Sequence, residues 1–478
     1  MTRLVSLDLS TDFAVGFTLL KLENPSLSMF VKNLTQLREL YLDSVNVAAH
    51  GDEWCEALSS SLPNLQVLSL TNCLLSSPIN SSLTNLQSLS VIRLDMNNLL
   101  TPVPELFSDF SNLTSLSLGN CGLYGNIPEK IFQLPTLKTL ILSYNELLNG
   151  SLPDLPQNTS LQTLKLSGTR LSGTLPDSIG NLKHMSLIEL DNCNFTGPLP
   201  ASLGNFGQII YLDLSSNKFT GTIPSFRMSK NLTHLDLSHN AFTGSISSTY
   251  WEQLLNLVRV DLRHNSLSGS IPPSLFALPL LQQFQLAYNQ FEGQVPEFLN
   301  ASSSVLETLD LSSNRFEGPI PMALFELKQL HVLILSSNKF NGTVHLDTIQ
   351  RLGNLTTLDL SYNSLAVNAS SSSSFLPRIS TLKLASCKLS KIPNLRNQST
   401  LFHLDLSDNK ISGEIPNWIW EIANWPNGSL THLNLSSNFL VGLQEPFSFS
   451  NLIVLDLHSN QLQGKIPLPP PTLDLGSW

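Results

Sequence analysis

The chain has 478 residues, of which 41% are hydrophobic and 13% charged, and a formal net charge of −10 at pH 7 with a pI near 5.4. No basic stripe is present to meet phosphates, which excludes a nucleic-acid-binding domain. The five cysteines are too scattered for a disulfide framework and match no zinc spacing.

The first predicted strand opens at Leu4, and the pattern LxxLxLxxNxL then restarts at Leu37, Leu65, Leu89, Leu113, Leu137, Leu161, Met185, Ile209, Leu232, Leu257, Leu281, Leu306, Leu330, Leu355, Ile379, Leu401, Leu430 and Leu452, giving nineteen units. From Leu65 the step is 24 residues six times and then 23, inside the window of about 20 to 29 that defines leucine-rich repeats. A chain of this length would otherwise suggest roughly three globular domains. An uninterrupted repeat makes one quasi-linear domain instead. The expected fold is therefore an α/β solenoid of leucine-rich repeats, curved or superhelical. A parallel strand ladder lines its concave face, with short second strands and helical turns elsewhere.

The second unit, starting at Leu37, is longer than the rest and contains Gly51-Asp-Glu-Trp-Cys-Glu-Ala-Leu58, whose Cys55 is either free or paired with a partner molecule. Within a typical unit from Leu232, the alternation of Leu232, Leu235 and Leu237 sends apolar side chains inward and leaves Thr233, His234, Asp236, Ser238 and His239 outside. Asn240 then turns the chain, its amide serving backbone groups that have left the strand. Asn145, Asn217, Asn265, Asn289, Asn314, Asn338, Asn363, Asn409, Asn438 and Asn460 hold the same place, and Cys73, Cys121, Cys193 and Cys387 substitute for Asn there.

After this asparagine ladder comes GxIP or a near relative, at Gly125–Pro128, Gly173–Pro176, Gly221–Pro224, Gly269–Pro272, Gly318–Pro321, Gly413–Pro416 and Gly464–Pro467. Glycine allows a tight turn and proline fixes φ, which predicts a short extended piece followed by a helical turn, and this motif marks the repeats as the plant-type extracellular subtype. The repeat domain is placed at 1–467, and 468–478 reads as a Pro-rich non-repeat tail. No signal peptide, polar cap or apolar transmembrane stretch is visible in the sequence. The chain is therefore expected to be a fragment or a truncated gene product.

Glycan acceptor sequences Asn-x-Ser/Thr occur at Asn33, Asn80, Asn112, Asn149, Asn158, Asn194, Asn231, Asn300, Asn341, Asn354, Asn368, Asn397, Asn427 and Asn434, a pattern with meaning in the secretory pathway. Asn434 lies between Leu433 and Leu435 and is expected to point outward from its strand.

Chemistry-bearing residues are few. Asp213, Asp236, Asp261, Asp310, Asp359, Asp405 and Asp456 form one column. Paired carboxylates about 5 Å apart can run glycoside hydrolysis, but this column is the D of LDLS on what reads as an open surface. No HExxH, triad, phosphate loop or kinase motif is present, so no catalytic residue, metal site or cofactor is expected. Outward positions that depart from Ser, Thr and Asp are more informative. His234, His239, Arg259, Arg263, His264, Gln283, Gln285 and Tyr288 fall in repeats ten to twelve and form the candidate ligand-binding patch, since Arg and Tyr concentrate binding energy at interfaces.

The stretches GDEWCEALSSS, LKLASCKL, PNWIW and FLVGLQEPFSFSNLIVLDLHSNQLQGKIP closely resemble plant receptor-like proteins of the Verticillium-wilt resistance class. The resemblance covers Leu4 to Pro467. It implies a cell-surface immune receptor, located on the extracellular face of the plasma membrane in its full-length form. Such a receptor binds a microbial or self-derived protein or peptide ligand and signals through leucine-rich-repeat receptor kinases as co-receptors. The N-terminal cap, island, transmembrane helix and cytoplasmic tail of that family are absent from this sequence. The alternatives are a soluble inhibitor of microbial cell-wall-degrading enzymes and a truncated, non-signalling remnant.

Overall fold

The computed structural model describes residues 3–11, 20–47, 51–246, 251–369, 376–423, 429–446, 451–464 and 474–475. The sequon at Asn427, the end of the last GxIP motif at Pro467 and most of the segment 468–478 lie outside these residues. The chain divides into two compact units, Met1–Phe242 and Thr243–Trp478.

In the first unit a parallel ladder runs in chain order through Ser6–Asp8, Glu39–Tyr41, Val67–Ser69, Val91–Arg93, Ser115–Ser117, Thr139–Ile141, Thr163–Lys165, Leu187–Glu189, Tyr211–Asp213 and His234–Asp236. In the second unit the ladder runs through Arg259–Asp261, Gln283–Gln285, Thr308–Asp310, Val332–Ile334, Thr357–Asp359, Thr381–Lys383, His403–Asp405, His432–Asn434 and Val454–Asp456. Each strand begins two residues after the start expected from the leucine pattern. The central residue of each strand from Leu40 onward is buried, because strand alternation turns it inward, whereas its two neighbours face outward.

The short strand Asp474–Leu475 pairs in parallel with Val454 and Leu455. The ladder thus reaches into the segment read as a non-repeat tail, where prolines obscured the pattern without preventing one more strand from pairing.

The asparagine ladder is built as expected. Asn145 is fully buried, its Oδ1 accepting from the backbone N–H of Cys121 at 3.0 Å and of Leu123 at 2.9 Å, and its Nδ2 donating to the carbonyls of Leu118 at 2.9 Å and Leu142 at 2.8 Å. One amide therefore joins two successive repeats and satisfies groups that the strand no longer pairs. Asn97, at the ladder place of the unit that starts at Leu89, does the same, and Thr169 takes part of the role through its hydroxyl. The cysteines at this position donate to carbonyls of the preceding repeat, Cys73 to Leu42 at 3.0 Å, Cys121 to Leu94 at 3.1 Å and Cys193 to Leu166 at 3.3 Å. Burial pushes the thiols of Cys73, Cys121 and Cys387 up to about 12, so they are neutral donors and not thiolates.

The GxIP motif gives a second strand and a helical turn. In the first unit Ser172–Gly173, Asn194–Pro198 and Lys218–Gly221 pair in parallel. In the second unit Ser266–Gly269, Gln290–Gln294, Arg315–Pro319 and Lys339–Asn341 do so. Gly221 at φ 75° and Gly269 at φ 80° occupy the left-handed region that a Cβ disfavours. Pro176, Pro272 and Pro321 then precede short helical segments. Inside each unit one phenylalanine per repeat stacks on the next: Phe195 on Phe219 at 6.0 Å, and Phe291 on Phe316 at 6.2 Å. The long second repeat folds as the helix Gly51–Ser61, which buries Trp54, Cys55, Ala57 and Leu58. Cys55 is therefore closed to an external partner, and burial pushes its thiol up to about 12.

Candidate ligand-binding face

The ladder face is built from the first and third residues of every strand, which the pleat turns outward, and from the turn that follows. That turn has a fixed shape. The residue before each ladder asparagine adopts φ near 55°, as at His239, His264, Tyr288 and Tyr362, and the side chains at these four positions are exposed.

The aspartate column is not the open surface expected from sequence. Asp261 is fully buried and Asp310 nearly so, because the carboxylate folds back to cap the turn. Asp236 Oδ1 accepts from Ser238 N at 3.0 Å and Oγ at 2.7 Å, Asp310 from Ser312 N at 3.0 Å and Oγ at 2.6 Å, and Asp405 from Ser407 N at 3.0 Å and Oγ at 2.7 Å. This local bond competes well because Asp and Ser side chains readily pair with backbone two residues away. It also buries the serine: Ser238, expected to face outward, is buried. Asp213 carries an electrostatic penalty as well. Burial first, then the nearby Asp236 and Asp191 charges, raise its carboxyl to about 6, against the lowering effect of its bonds to Ser215. These carboxylates hold turns, each bonded to the backbone two residues on.

Among the proposed patch residues, His234 and His239 lie in the first unit. The His234 ring is half-buried, packed 5.5 Å from Tyr211, with Nδ1 at 2.8 Å from Thr233 Oγ1. His239 is exposed in the turn. Nothing in the leucine pattern pointed to Tyr211. The signal was its aromatic ring one strand before the outward His234.

The other patch residues are brought together in the second unit. Arg259 and Arg263 both close on Asp261: Arg259 Nη2 lies 3.2 Å from Oδ2, Arg263 Nη2 2.8 Å from Oδ2 and Arg263 Nε 3.0 Å from Oδ1. Arg259 Nη1 also donates to Gln283 Oε1 at 3.3 Å, and Gln285 stands between Asp261 and Asp310 on the neighbouring strands. At the turn, His264 and Tyr288 stack with centroids 4.3 Å apart and planes 10° from parallel, and Tyr288 is 55% exposed. The result is a planar aromatic pair beside a charged network whose two cations share one buried anion. Such an arrangement can stack a flat group and receive hydrogen-bond acceptors.

The sequons flank this face. Asn112, Asn231 and Asn354 sit just before their strands, exposed, each Nδ2 donating to a carbonyl of the preceding repeat. Asn149, Asn194, Asn341 and Asn368 lie on the second-layer strands. Asn434 alone among the described sequons stands on the ladder face. Its Oδ1 accepts from Ser436 N at 3.0 Å and Oγ at 2.7 Å, the role Asp405 plays in the repeat before. Among the described residues, no group of three or more His, Cys, Asp or Glu is placed to hold a metal ion, and no helix is long and apolar enough to cross a membrane.

Comparison with known proteins agrees with this architecture. Leucine-rich-repeat family profiles match residues 230–291 and, one repeat at a time, 112–134, 160–182, 208–226, 305–327, 354–377, 400–422, 429–452 and 451–473. The chain is 35% identical over 119 residues to Receptor like protein 27 of Arabidopsis thaliana, covering 24% of this chain and 14% of that protein. It is 43% identical over 84 residues to Receptor-like protein 34 of Arabidopsis thaliana, covering 17% of this chain and 8% of that protein. These matches thus span well under two thirds of the relatives' length. Among solved structures, it resembles the ectodomain of the Arabidopsis receptor kinase HAESA in complex with an N-terminally extended IDA peptide hormone, at 32% identity and TM-score 0.76, over 99% of this chain and 74% of that one. It also resembles HAESA with IDA and the co-receptor SERK1, at 30% identity and TM-score 0.80, over 97% and 80%. The plant peptide hormone receptor RGFR1 in complex with RGF2 matches at 28% identity and TM-score 0.80, over 96% and 79%.

Proposed function

We propose, from the premise that this chain belongs to the leucine-rich-repeat family as a plant receptor-like protein, that it is the ligand-recognition part of a cell-surface receptor. In this reading the ladder face binds an extracellular peptide or protein of microbial or self origin, and leucine-rich-repeat receptor kinases act as co-receptors. The full-length protein works at the extracellular face of the plasma membrane, in immunity, as the resemblance to the Verticillium-wilt resistance class suggests. The part it plays is non-catalytic, because its carboxylates are spent on capping turns.

The observation that carries this reading is the second unit's outward network of Arg259, Asp261, Arg263 and Gln283 beside the exposed His264–Tyr288 stack. The similar solved ectodomains in complex with peptide hormones support it. The test is the double variant H264G/Y288N, in which glycine and asparagine accept the positive φ of the two turns and no glycan acceptor sequence is created. Affinity for the ligand of the full-length receptor should fall by about 1–3 kcal/mol with the melting transition unmoved. Unchanged affinity would place the binding residues elsewhere.

A further inference from the structure

Of the sequons on the second-layer strands, Asn149, Asn194, Asn341 and Asn368, one differs from the rest in what shares its face. In the first unit Leu147–Asn149 pairs in parallel with Tyr124–Asn126, so that Leu147 stands beside Tyr124 and Asn149 beside Asn126. Leu148 is buried, and the residues on either side of it turn outward together. Tyr124 is 43% and Leu147 48% exposed. Two large apolar side chains thus lie on the outer face with Asn149. Leu147 shares its strand, and Tyr124 is diagonal to it, a separation of about 7–8 Å that an aromatic or long side chain spans.

The other three lack such neighbours. Lys339 shares the face of Asn341 and has Glu317 beside it. Ala366 and Thr343 occupy the corresponding places for Asn368, and Asn194 Oδ1 accepts from Lys218 Nζ at 3.0 Å. At Asn149 the backbone also leaves room. Gly150 follows at φ 95°, and a Cβ there would come within 2.7 Å of Asn126 Oδ1, so glycine keeps the space around the amide clear. Asn149 Nδ2 donates to the Leu147 carbonyl at 3.5 Å, which lays the amide back along its own strand towards Leu147 and Tyr124.

We propose that Asn149 carries an N-linked glycan whose first N-acetylglucosamine lies on Tyr124 and Leu147, the C–H face of the sugar against the phenol ring and the leucine methyls. Attachment forms a bond between Asn149 Nδ2 and the anomeric carbon of that sugar. It breaks the bond from the same carbon to the diphosphate of a lipid-linked oligosaccharide donor, which leaves with the electron pair as the Nδ2 proton is released. Nδ2 keeps one hydrogen, enough to hold the Leu147 carbonyl. An exposed apolar pair is thereby covered by a group the chain itself carries, and this part of the second layer is closed to a protein partner. The inference rests on the secretory route contained in the proposed function, and it is independent of what the ladder face binds.

The test is nitration of exposed tyrosines by tetranitromethane, read by peptide mass mapping, on the 478-residue chain secreted from insect cells behind an added leader peptide. Secretion is imposed, so the result does not depend on whether the receptor reading holds. The parent is compared with S151A, which removes the acceptor sequence at an exposed position without altering Asn149, and with S151T, which keeps it. Asn149 should be occupied in the parent and in S151T. Tyr124 should be nitrated roughly fivefold more slowly in these two than in S151A, as expected when the covered state outweighs the open one by about that ratio. Tyr362, 55% exposed in the second unit, should react alike in all three. S151A should melt about 2 °C below the parent, and the difference should vanish when both carry Y124A/L147A, the sign of coupling between sugar and platform. An Asn149 without glycan, equal nitration of Tyr124 with and without it, or a melting difference that survives Y124A/L147A would each overturn the proposal.

Discussion

Asn145→Ala should destabilise the first unit by about 3–4 kcal/mol, the combined effect of several orphaned buried backbone groups. The substitution removes bonds to Cys121 N, Leu123 N, Leu118 O and Leu142 O at once, in a place where the side chain is fully buried and water cannot easily replace them. Because a repeat protein is stabilised chiefly between neighbours, the damage should be local. Hydrogen exchange at Cys121 and Leu123 should accelerate well before exchange in the second unit does. Asn217, whose side chain is only partly buried, should lose less when changed to alanine. A loss below about 1 kcal/mol at Asn145, within the ordinary range for a surface substitution, would mean that the ladder amide adds little beyond the strands.

The double variant R259A/R263A should destabilise the second unit by about 3 kcal/mol, because it strands the fully buried Asp261 carboxylate without a cation. Adding D261N should recover most of that loss, since an amide at this position can cap its turn without charge as Asn434 does. Equilibrium denaturation of the three proteins decides the point. If R259A/R263A is as stable as the parent, water supports the carboxylate and the arginines are free to serve a ligand alone. Sequence alone would suggest that truncating these arginines with Tyr288 reports on binding only. The geometry shows that it would report largely on folding, which is why the His264–Tyr288 stack is the better handle on recognition.

Most of the fold was legible in the leucines. Their spacing placed each ladder strand, and the asparagine and GxIP positions placed the turns, because burial and backbone satisfaction act on neighbouring residues and leave a period in the sequence. What the period could not show is which outward residues turn back. Asp261 and Ser238 occupy outward positions in the alternation, yet short side-chain bonds to the following turn draw both inward. The His264–Tyr288 and His403–His432 stacks were equally hidden, since each joins residues 24 or more apart that only the parallel register sets side by side. Of the two states open to Cys55, free or paired with a partner molecule, the structure has the free one, a choice the sequence did not make because an isolated cysteine in a long repeat says nothing of the helix that buries it.

The claim that the ladder face of the second unit takes the ligand is tested most directly by blocking it with a glycan. Tyr288 sits exposed in a turn at φ 56°, and Y288N with Q290T creates an acceptor sequence there. Strands lie about 4.8 Å apart, so an attached glycan shields several of them. Binding of the full-length receptor, displayed on plant cells, to its extracellular ligand fraction should then fall by more than about tenfold, or about 1.4 kcal/mol. Removing the native sequons at Asn112 and Asn354, which lie off this face, should leave binding unchanged. Full binding by Y288N/Q290T, with the glycan at position 288 verified by peptide mass mapping, would contradict the assignment of the ligand to this face.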